Sequence, residues 1–409
     1  MHSRLDSTPA SGHGAGAPRA ANHSPARELT LDPELAAQLE AMRARSISPE
    51  HDPWDPWLTY GLSPEPLLTS IEVTVTNQCN LRCEHCAVGE LLTYREERRL
   101  PLETIIEALD AVPTLLTFSL TGGELSVSQS LVDEVVIPLL RYAKGRGLKT
   151  QVNTNLTLPL ERYQAFVEWV DVLHISYNYP HPDEFARIAY AHAGYRPLRP
   201  HALLERMERN TIALAEQGVF VSAETILTNA TIPHIDVIHR RIRDLGCQRH
   251  EIHPLYPSDF AATMTLPPLA DVEAAIERLL AGRDPGVWLL FGTLPIFACS
   301  PDPRHHELLQ RIHSAPRTTV RNDPDGRNRL NISSLDGSVR LQDFADVAEL
   351  GDITQVPLLE IWRRWLASPT AKRLHCCCPE ARCLGPNLLV AQSYYPHVAW
   401  EERSALIAL

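Results

Sequence analysis

Between residues 70 and 257, a short pattern typical of a β-strand alternates with a longer pattern typical of a helix, six times over. The predicted strands are 71–76, 115–121, 150–155, 172–178, 220–226 and 249–253. The predicted helices between them are 102–111, 127–144, 160–169, 199–217 and 235–245. Such alternation specifies βαβ units and therefore a parallel sheet.

Polar residues occupy alternate positions in each predicted strand. In the first strand, Glu72, Thr74 and Thr76 fall on one face, whereas Val73 and Val75 fall on the other. The later strands repeat this pattern with Thr117, Ser119, Thr121, Gln151, Asn153, Asn155, His174, Ser176, Asn178, Ser222, Glu224, Glu251 and His253. A parallel sheet that is buried on both faces shows continuous apolar strands instead. Because side chains alternate with a period of two, we predict a partly closed barrel whose polar lumen is a ligand site.

The flanking regions differ in composition from the repeat. Residues 1–50 are rich in Pro, Ser, Ala, Gly and His, so a disordered tail is expected, with an uncleaved targeting arm as the alternative. Trp54 and Trp57 predict an aromatic lead-in over 51–69 that packs on the barrel of 70–285. Within 286–395 we expect a small α+β unit with a strand at 287–290, a hairpin turning at Asp336 and Gly337, and a helix at 357–366. Residues 396–409 are assigned to a tail.

Composition excludes several classes of protein. The net charge of −12 argues against a broad nucleic-acid-binding face, because phosphate contacts need clustered Lys and Arg. No stretch approaches about 18 uninterrupted apolar residues, so no membrane-spanning helix is expected. No secretory signal is visible, so the nine cysteines indicate reduced thiols and metal ligation in a cytoplasmic protein.

Three cysteines, Cys79, Cys83 and Cys86, follow the first predicted strand with the spacing C-x3-C-x2-C. One loop can bring these thiolates to three corners of a four-iron cluster, which leaves one iron without a nearby cysteine. A catalytic metal requires such an open position, whereas closed structural sites use four protein ligands. A zinc site with a distant fourth ligand is the alternative.

The second predicted strand ends in Gly122, Gly123 and Glu124, directly before a helix. Two glycines allow the backbone to approach a ligand closely, and the carboxylate of Glu124 can accept a hydrogen bond from an ammonium group. The loops that follow parallel strands form the ligand-binding end of βα folds. The position of this segment beside the cysteine loop therefore predicts a ligand site there.

With these motifs, the sequence resembles the radical S-adenosylmethionine (SAM) superfamily over about residues 68–257. The resemblance implies that Cys79, Cys83 and Cys86 hold a [4Fe–4S] cluster and that residues 122–124 bind the methionine part of SAM. It implies further SAM contacts for Asn153, Asn155, Ser176 and His85. The fold of that family, a partial (β/α)6 TIM-like barrel of the α/β class, is the one that strand alternation also predicts.

A second group of cysteines lies near the other end of the chain. Cys376, Cys378 and Cys383 have the spacing C-x-C-x4-C, and Cys299 follows the strand predicted at 287–290. Four thiolates would enclose either an auxiliary [4Fe–4S] cluster or a structural zinc ion. Cys377 is expected to be the spare, because successive residues do not easily point at one metal. Residues 337–383 resemble the twitch/SPASM appendages of radical SAM enzymes, with too few cysteines for two auxiliary clusters.

Residues 52–395 together closely resemble the YfkAB-type radical SAM proteins, named for their CxCxxxxC motif. The resemblance implies an oxidoreductase or transferase that cleaves SAM reductively to a 5′-deoxyadenosyl radical. This radical takes hydrogen from an unidentified substrate, either a small molecule or a peptide or protein side chain. A flavodoxin or ferredoxin is implied as the electron donor. The alternative from another class is a non-catalytic iron–sulfur or zinc protein that acts as a scaffold or sensor.

Four polar residues project from strand ends toward the place where substrate is expected. Glu224 lies on the fifth predicted strand, Glu251 and His253 lie on the sixth, and Tyr256 follows it. These residues are candidates for substrate contact or proton transfer. For each of them, the alternative is a hydrogen-bonded lumen residue without a role in the reaction.

Overall fold

The βα repeat folds into one continuous sheet. A computed structural model describes residues 31–95, 98–194, 199–322 and 324–398. In these ranges the strands are β1 (Ser70–Thr74), β2 (Thr117–Thr121), β3 (Lys149–Thr154), β4 (Val172–Ser176), β5 (Val221–Leu227), β6 (Arg249–Pro254), β7 (Trp288–Gly292), β8 (Thr318–Arg321), β9 (Arg329–Ser333), β10 (Ser338–Arg340) and β11 (Glu349–Asp352). They lie in the order β11-β10-β9-β1-β2-β3-β4-β5-β6-β7-β8.

Helices fill the crossovers and cover the outer face of this sheet. They are α1 (Pro33–Ala44), α2 (Leu102–Asp110), α3 (Gln129–Leu131), α4 (Ile137–Gly145), α5 (Leu160–Gln164), α6 (Pro182–Ala189), α7 (Pro200–Glu216), α8 (Ile235–Asp244), α9 (Leu269–Gly282), α10 (Pro303–Ser314), α11 (Leu358–Ala367), α12 (Pro369–Leu374) and α13 (Leu388–Tyr394). The largest apolar core joins the outward side chains of β1–β5, such as Ile71 and Val73, to these helices. None of the described helices is long and apolar enough to cross a membrane.

All six predicted βα strands are confirmed, with ends within three residues of the prediction, and β1 to β8 pair in parallel. The register places the polar positions side by side. Glu72 pairs with Ser119, Ser119 with Gln151, and Glu224 with Glu251. The strand alternation therefore builds one polar inner wall, as the sequence predicts.

The C-terminal strands extend this same sheet. β7 and β8 continue it beyond β6, and β9 pairs in parallel with β1 at the other end. β9 and β10 form the predicted antiparallel hairpin, whose turn contains Gly337 with φ of 82°. The predicted boundary near residue 286 thus falls inside a continuous sheet, and the division into two domains stays a prediction.

The expected disorder of residues 1–50 is wrong for the described part of that segment, which contains α1. Asp32 caps this helix by accepting from the backbone N–H groups of Glu34 and Leu35. Leu39 is fully buried, and the Arg43 guanidinium donates to the carbonyls of Pro113 and Leu115 at 2.8 Å each. The polar composition of the first 30 residues, which lie outside the described ranges, hid this short helix, of which only Leu39 is buried.

The aromatic lead-in packs on the barrel as predicted. Trp54 is buried, and its Nε1 donates to the hydroxyl of Ser119 on β2 at 3.1 Å. The Trp57 ring stacks on Tyr60, with 4.6 Å between ring centroids. This segment closes the end of the barrel that lies opposite the cysteine loop.

Candidate active site

A cavity of about 290 Å³ lies where the parallel strands end. Twelve of the residues proposed from the sequence line it: Cys79, Cys83, His85, Cys86, Gly122, Gly123, Asn153, Asn155, Ser176, Glu224, His253 and Tyr256. These residues come from six segments of the chain that meet only in the folded barrel. The structure therefore brings the cysteine loop, the glycine turn and the polar strand ends to one place.

The cysteine loop follows β1 and presents three reduced thiols to the cavity. Cys79 is buried, and Cys83 and Cys86 are half-buried. Burial raises the pKa of the Cys79 thiol to about 12 and that of the Cys86 thiol to about 11. Because metals bind the thiolate, loading of this loop releases protons.

The loop is held in shape by its own arginine. The Arg82 side chain donates from Nη1 to the carbonyl oxygens of Cys79 at 2.9 Å and Leu81 at 2.7 Å. Its guanidinium lies over the ring of Tyr94, 3.9 Å from the centroid. These contacts keep the backbone carbonyls turned away from the cavity and leave the sulfur atoms facing it.

No group of three His, Cys, Asp or Glu side chains in the described ranges converges tightly enough to hold a single metal ion. A zinc site requires such convergence, because its four ligands surround one atom. A [4Fe–4S] cluster instead binds each cysteine at a different iron and accepts wider spacing between the sulfurs. Three cysteines on one loop can each bind a different iron of such a cluster.

Gly122 and Gly123 lie against the backbone that leads into the cysteine loop. The N–H of Gly123 donates to the carbonyl of Thr76 at 2.8 Å, and the N–H of Glu124 donates to the carbonyl of Gln78 at 2.7 Å. A β-carbon on either glycine would collide with Thr76 or Gln78 backbone atoms. The glycines thus allow the turn after β2 to pack closely on the segment that leads into the cysteine loop. The sequence had suggested only that they allow a ligand to approach.

Glu124, predicted to contact SAM, does not reach the cavity. It is fully buried, and its carboxylate accepts from the Thr154 hydroxyl and from the backbone N–H groups of Ser126 and Asn155. Burial raises the pKa of this carboxyl, although the hydrogen bonds oppose the rise. In this structure Glu124 therefore ties the glycine turn to the end of β3 from behind the cavity wall.

The other proposed SAM contacts do lie on the wall. Asn155 donates from Nδ2 to the side chain of Asn80 at 3.0 Å, inside the cysteine loop. Asn153 donates to the carboxylate of Glu72 at 3.2 Å. His85 accepts at Nε2 from the amide of Asn178 at 3.3 Å, since the Asn178 oxygen is occupied by the N–H of Ile226.

The ends of β4, β5 and β6 carry a connected set of ionisable groups at the cavity. The Tyr256 hydroxyl lies 2.7 Å from Nδ1 of His253, and Nε2 of His253 lies 2.9 Å from Glu251. His174, which the sequence analysis did not single out as a site residue, lies 3.1 Å from Glu224 through its Nε2. Burial acts to raise the pKa of Glu224, but the bond to His174 and the charge of His253 hold it below its usual value.

Glu251 belongs to the same inner face of the sheet but is covered and does not line the cavity. It is 1% exposed and forms ion pairs with Arg321 and, at 3.1 Å, with the fully buried Arg249. Although burial opposes ionisation, these two arginines hold the pKa of Glu251 well below its usual range. Glu251 is therefore a permanent carboxylate that orients His253.

Sequence analysis also missed Glu72, Arg321, Arg329, Asp343 and Phe344, which all line the cavity. Glu72 and His174 were already placed on the polar strand face, and that alternation was the signal for them. The other four come from β8, β9 and the segment after β10. Arg321 reaches the cavity because β8 pairs with β7 at one edge of the sheet. Arg329, Asp343 and Phe344 reach it from the other edge, where β9 pairs with β1 and β10 with β9.

The second group of cysteines gathers outside this cavity. Cys376 hydrogen-bonds Cys383, which raises the pKa of the first thiol and lowers that of the second, and Cys378 and Cys299 lie near enough to act on Cys376 electrostatically. The backbone N–H of Cys378 donates to the carbonyl of Cys383 at 2.8 Å. Cys377 is exposed and hydrogen-bonds Tyr60 instead.

Family models and a curated relative match this chain along most of its length. The radical SAM superfamily model matches residues 73–242, and the YfkB-like domain model matches residues 255–405. The protein YfkA of Bacillus subtilis (strain 168) is 45% identical over 366 residues, which are 89% of this chain and 98% of YfkA. The chain is a YfkAB-type radical SAM protein.

Solved radical SAM structures share the fold at low sequence identity. Streptococcus suis SuiB bound to S-adenosylmethionine has a TM-score of 0.51 and 16% identity over 79% of this chain and 74% of its own. SuiB bound to the precursor peptide SuiA has a TM-score of 0.53 at 15% identity, over 83% and 75%. Native anSMEcpe with bound AdoMet has a TM-score of 0.54 at 13% identity, over 80% and 95%. The partial barrel is thereby confirmed.

Membership of the radical SAM family makes the chain an enzyme and implies SAM and a [4Fe–4S] cluster as cofactors. The residues present fit both groups. Among the described residues, the cysteines that line the cavity are Cys79, Cys83 and Cys86, and all three are free thiols. A glycine turn and several side-chain amides line the same space. The family assignment also decides against the scaffold or sensor alternative.

Proposed function

We propose that Cys79, Cys83 and Cys86 hold the [4Fe–4S] cluster and leave one iron open to the amino and carboxylate groups of SAM. When bound and reduced by one electron, these cofactors supply a 5′-deoxyadenosyl radical, with methionine as the other product, and this radical takes a hydrogen atom from the substrate. The observation that carries the proposal is that Cys79, Cys83 and Cys86 meet the glycine turn at one polar cavity.

Several residues would orient SAM. Gly122 and Gly123 offer backbone at the cavity wall, and Asn153, Asn155 and Ser176 offer polar side-chain atoms. His85 is adjacent in sequence to Cys86, and its ring is fixed by Asn178. The apolar shell beneath the loop, which includes Leu81, excludes water from the cluster side of the cavity. The protein thus contributes orientation and dryness, and the cofactors contribute the radical.

Tyr256, His253 and Glu251 form a proton relay in this proposal. Tyr256 faces the cavity, His253 accepts its hydroxyl proton at Nδ1, and the ionised Glu251 accepts from Nε2. A carboxylate that two arginines keep ionised stabilises a protonated imidazole without taking its proton. Glu224 lies 3.1 Å from His174 and 3.8 Å from His253. Because it lines the cavity, it contacts the substrate directly in this proposal.

The second group of cysteines is proposed to hold an auxiliary [4Fe–4S] cluster through Cys299, Cys376, Cys378 and Cys383. Electrostatic coupling among these four thiols and the diversion of Cys377 to Tyr60 support this choice. A structural zinc ion is the alternative occupant. A flavodoxin- or ferredoxin-type protein is proposed as the electron donor, and a cytoplasmic location accords with such a partner.

The substrate is proposed to be a small molecule or a side chain of a peptide or protein. SuiB was solved with its precursor peptide SuiA, and anSMEcpe was solved with the Cp18Cys peptide. These two neighbours support a peptide substrate by likeness of fold alone.

Anaerobic reconstitution with iron, sulfide, a reductant and SAM tests the proposal. Wild-type protein is expected to form 5′-deoxyadenosine, and Cys83→Ala is expected to lose this activity. Cys378→Ala is the matched control, because it removes a thiol outside the cavity. This variant should keep SAM cleavage, and conversion of the substrate is measured separately. Absence of 5′-deoxyadenosine from wild-type protein with a spectroscopically confirmed cluster would refute the proposal.

A further inference from the structure

The charged residues around the cavity are unevenly matched. Glu72 pairs with Arg329 at 2.7 Å, and Glu251 pairs with Arg321 and Arg249. Arg321 also pairs with Asp52 at 3.0 Å. Every arginine at the wall is therefore already bound to a carboxylate of the protein itself.

Two cavity carboxylates, those of Glu224 and Asp343, have no Arg or Lys ion pair within the described ranges. Glu224 contacts only histidine rings, and one-quarter of its side chain remains exposed to the cavity. Asp343 has the hydroxyl of Thr121 at 3.5 Å. Burial and repulsion from Glu72 and Glu224 raise the pKa of Asp343 to about 7, against attraction to Arg329. Neither carboxylate therefore has an arginine or lysine partner at ion-pair distance among the described residues.

The bound cofactors do not supply this charge. Three thiolates and a [4Fe–4S] core carry one net negative charge, and SAM carries one net positive charge, so the pair is neutral as a whole. A buried carboxylate without a partner is costly, and a ligand that brings a cation removes that cost. The cofactor pair as a whole therefore leaves the negative charge of Glu224 and Asp343 uncompensated.

Two aromatic rings stand beside these carboxylates. Phe344 follows Asp343 in the chain, and its ring lies 4.8 Å from the ring of Tyr256 between centroids. Both rings line the cavity. Aromatic faces attract ammonium groups, and they do so more strongly where water is excluded. Carboxylates and aromatic faces together make a wall suited to an organic cation.

We propose that the substrate carries a positively charged amine, which binds between the carboxylates of Glu224 and Asp343 against the rings of Tyr256 and Phe344. This inference rests on the proposed function, because it assigns a substrate class to the same cavity. Anionic substrates are opposed by both carboxylates. The amine belongs either to a small molecule or to a side chain, and the chemistry that recognises it is the same.

Binding of three probes of equal length to the SAM-loaded holoenzyme tests the proposal. The probes are 1,5-diaminopentane, the neutral pentane-1,5-diol and the anionic glutarate, and the measurement is anaerobic titration calorimetry at neutral pH. The diamine is expected to bind, and the diol and glutarate are expected to bind at least about tenfold more weakly, since a charge pair in a closed site is worth more than one factor of ten.

Variants locate the binding. Asp343→Asn and Glu224→Gln keep the shape of each side chain and are each expected to weaken diamine binding about tenfold or more. Glu349→Gln removes an exposed carboxylate from β11 and is the matched control with unchanged binding. Far-ultraviolet circular dichroism and the cluster absorbance show that each variant is folded and loaded.

Three results would overturn the amine assignment: no diamine binding to wild type, glutarate binding as tight as the diamine, or diamine binding in both variants as tight as in wild type. Formation of 5′-deoxyadenosine in the same wild-type samples separates this failure from failure of the proposed function. If SAM is cleaved and the diamine does not bind, only the substrate class is wrong. If SAM is not cleaved, the radical chemistry itself is wrong.

Discussion

The backbone of Gly123 rests directly on the backbone of Gln78, and the two segments share hydrogen bonds on both sides of this contact. One segment carries the glycine turn after β2, and the other leads into the cysteine loop after β1. The position of the three thiols therefore depends on the absence of a side chain at residue 123. The cluster loop and the SAM turn act as one structural unit.

Gly123→Ala is expected to disturb this unit. The added methyl group meets the carbonyl of Gln78, and backbone must move to admit it, at a cost of about 1–3 kcal/mol in the free energy of unfolding. The variant should also bind less iron at the first loop after reconstitution. Urea unfolding and iron analysis are the measurements.

Gly145→Ala is the matched control for this substitution. Gly145 ends α4, and no atom lies within 4 Å of the place that a β-carbon would take. Alanine there should leave stability unchanged or raise it by about 0.4–1 kcal/mol, through loss of freedom in the unfolded chain. Equal changes in stability and iron content for Gly123→Ala and Gly145→Ala would show that the contact with Gln78 does not hold the cysteine loop in place.

A buried pair of histidines makes stability depend on pH. Asp284 donates its backbone N–H to Nε2 of His239, whose Nδ1 lies 3.0 Å from Nδ1 of His250, and Nε2 of His250 lies 2.9 Å from the Thr225 hydroxyl. This chain of bonds is complete only when both rings are neutral. Burial lowers the pKa of His239 to about 4 and that of His250 well below its usual value.

The sign of the effect follows from these directions. The unfolded chain takes up protons below about pH 6.5, and the folded chain does not, so the stabilisation is complete above that pH and declines as the pH falls toward 4. Each ring contributes about 1 kcal/mol per pH unit in this window. Replacing both His239 and His250 with glutamine should flatten the dependence of the unfolding free energy on pH between about 6.5 and 5. The neighbouring charged residues Asp284, Arg243 and Glu251 are kept in this variant. An equally steep decline in the double variant would contradict this.

Removal of Glu251 tests the buried ion pairs. Arg249 is fully buried and its charge is compensated by this carboxylate, so Glu251→Ala should cost about 3–5 kcal/mol in the free energy of unfolding. Glu277→Ala is the control, because its pair with Arg311 is exposed and is worth less than about 1 kcal/mol. Chemical denaturation of both variants decides. Similar small losses would mean that Arg249 finds another partner.

Serine substitutions separate the spare cysteine from the proposed ligands. Cys377→Ser should leave the metal content of the reconstituted protein unchanged, since this side chain is exposed and bonded to Tyr60. Cys378→Ser should remove about half of the bound iron if two [4Fe–4S] clusters are present. If wild-type protein binds zinc and Cys378→Ser loses that zinc instead of iron, the occupant of this site is the structural zinc ion. Equal losses in both variants would refute the assignment of Cys377.

The fold was largely predictable from the chain because its repeat is regular. Alternating polar residues such as Glu72, Asn153 and His174 located the lumen as well as the strands. The pairing of β9 with β1 was not predictable, since 254 residues separate the paired ends and no local pattern records that contact. For the same reason α1 was missed, because its stability comes from Arg43 and Leu39 packing against distant residues.

The candidate site divides in the same way. Cysteine spacing and the glycine turn are local signals, and they led to the correct cavity. The burial of a side chain is a tertiary property, so Glu124 and Glu251 were expected to line the cavity, but both are covered by hydrogen-bond and ion-pair partners. Asp343 and Arg321 carry no sequence signal at all, because their role depends on which strand edge brings them in.

The central claim is that three cysteines leave one iron of the first cluster open to SAM. Electron–nuclear double resonance on the reduced protein, with SAM labelled at its amino nitrogen and carboxylate oxygen, tests this directly. The account predicts strong hyperfine coupling of both labels to the cluster in wild type and in Cys378→Ala. A reduced cluster at Cys79, Cys83 and Cys86 that shows no coupling to either label would contradict it.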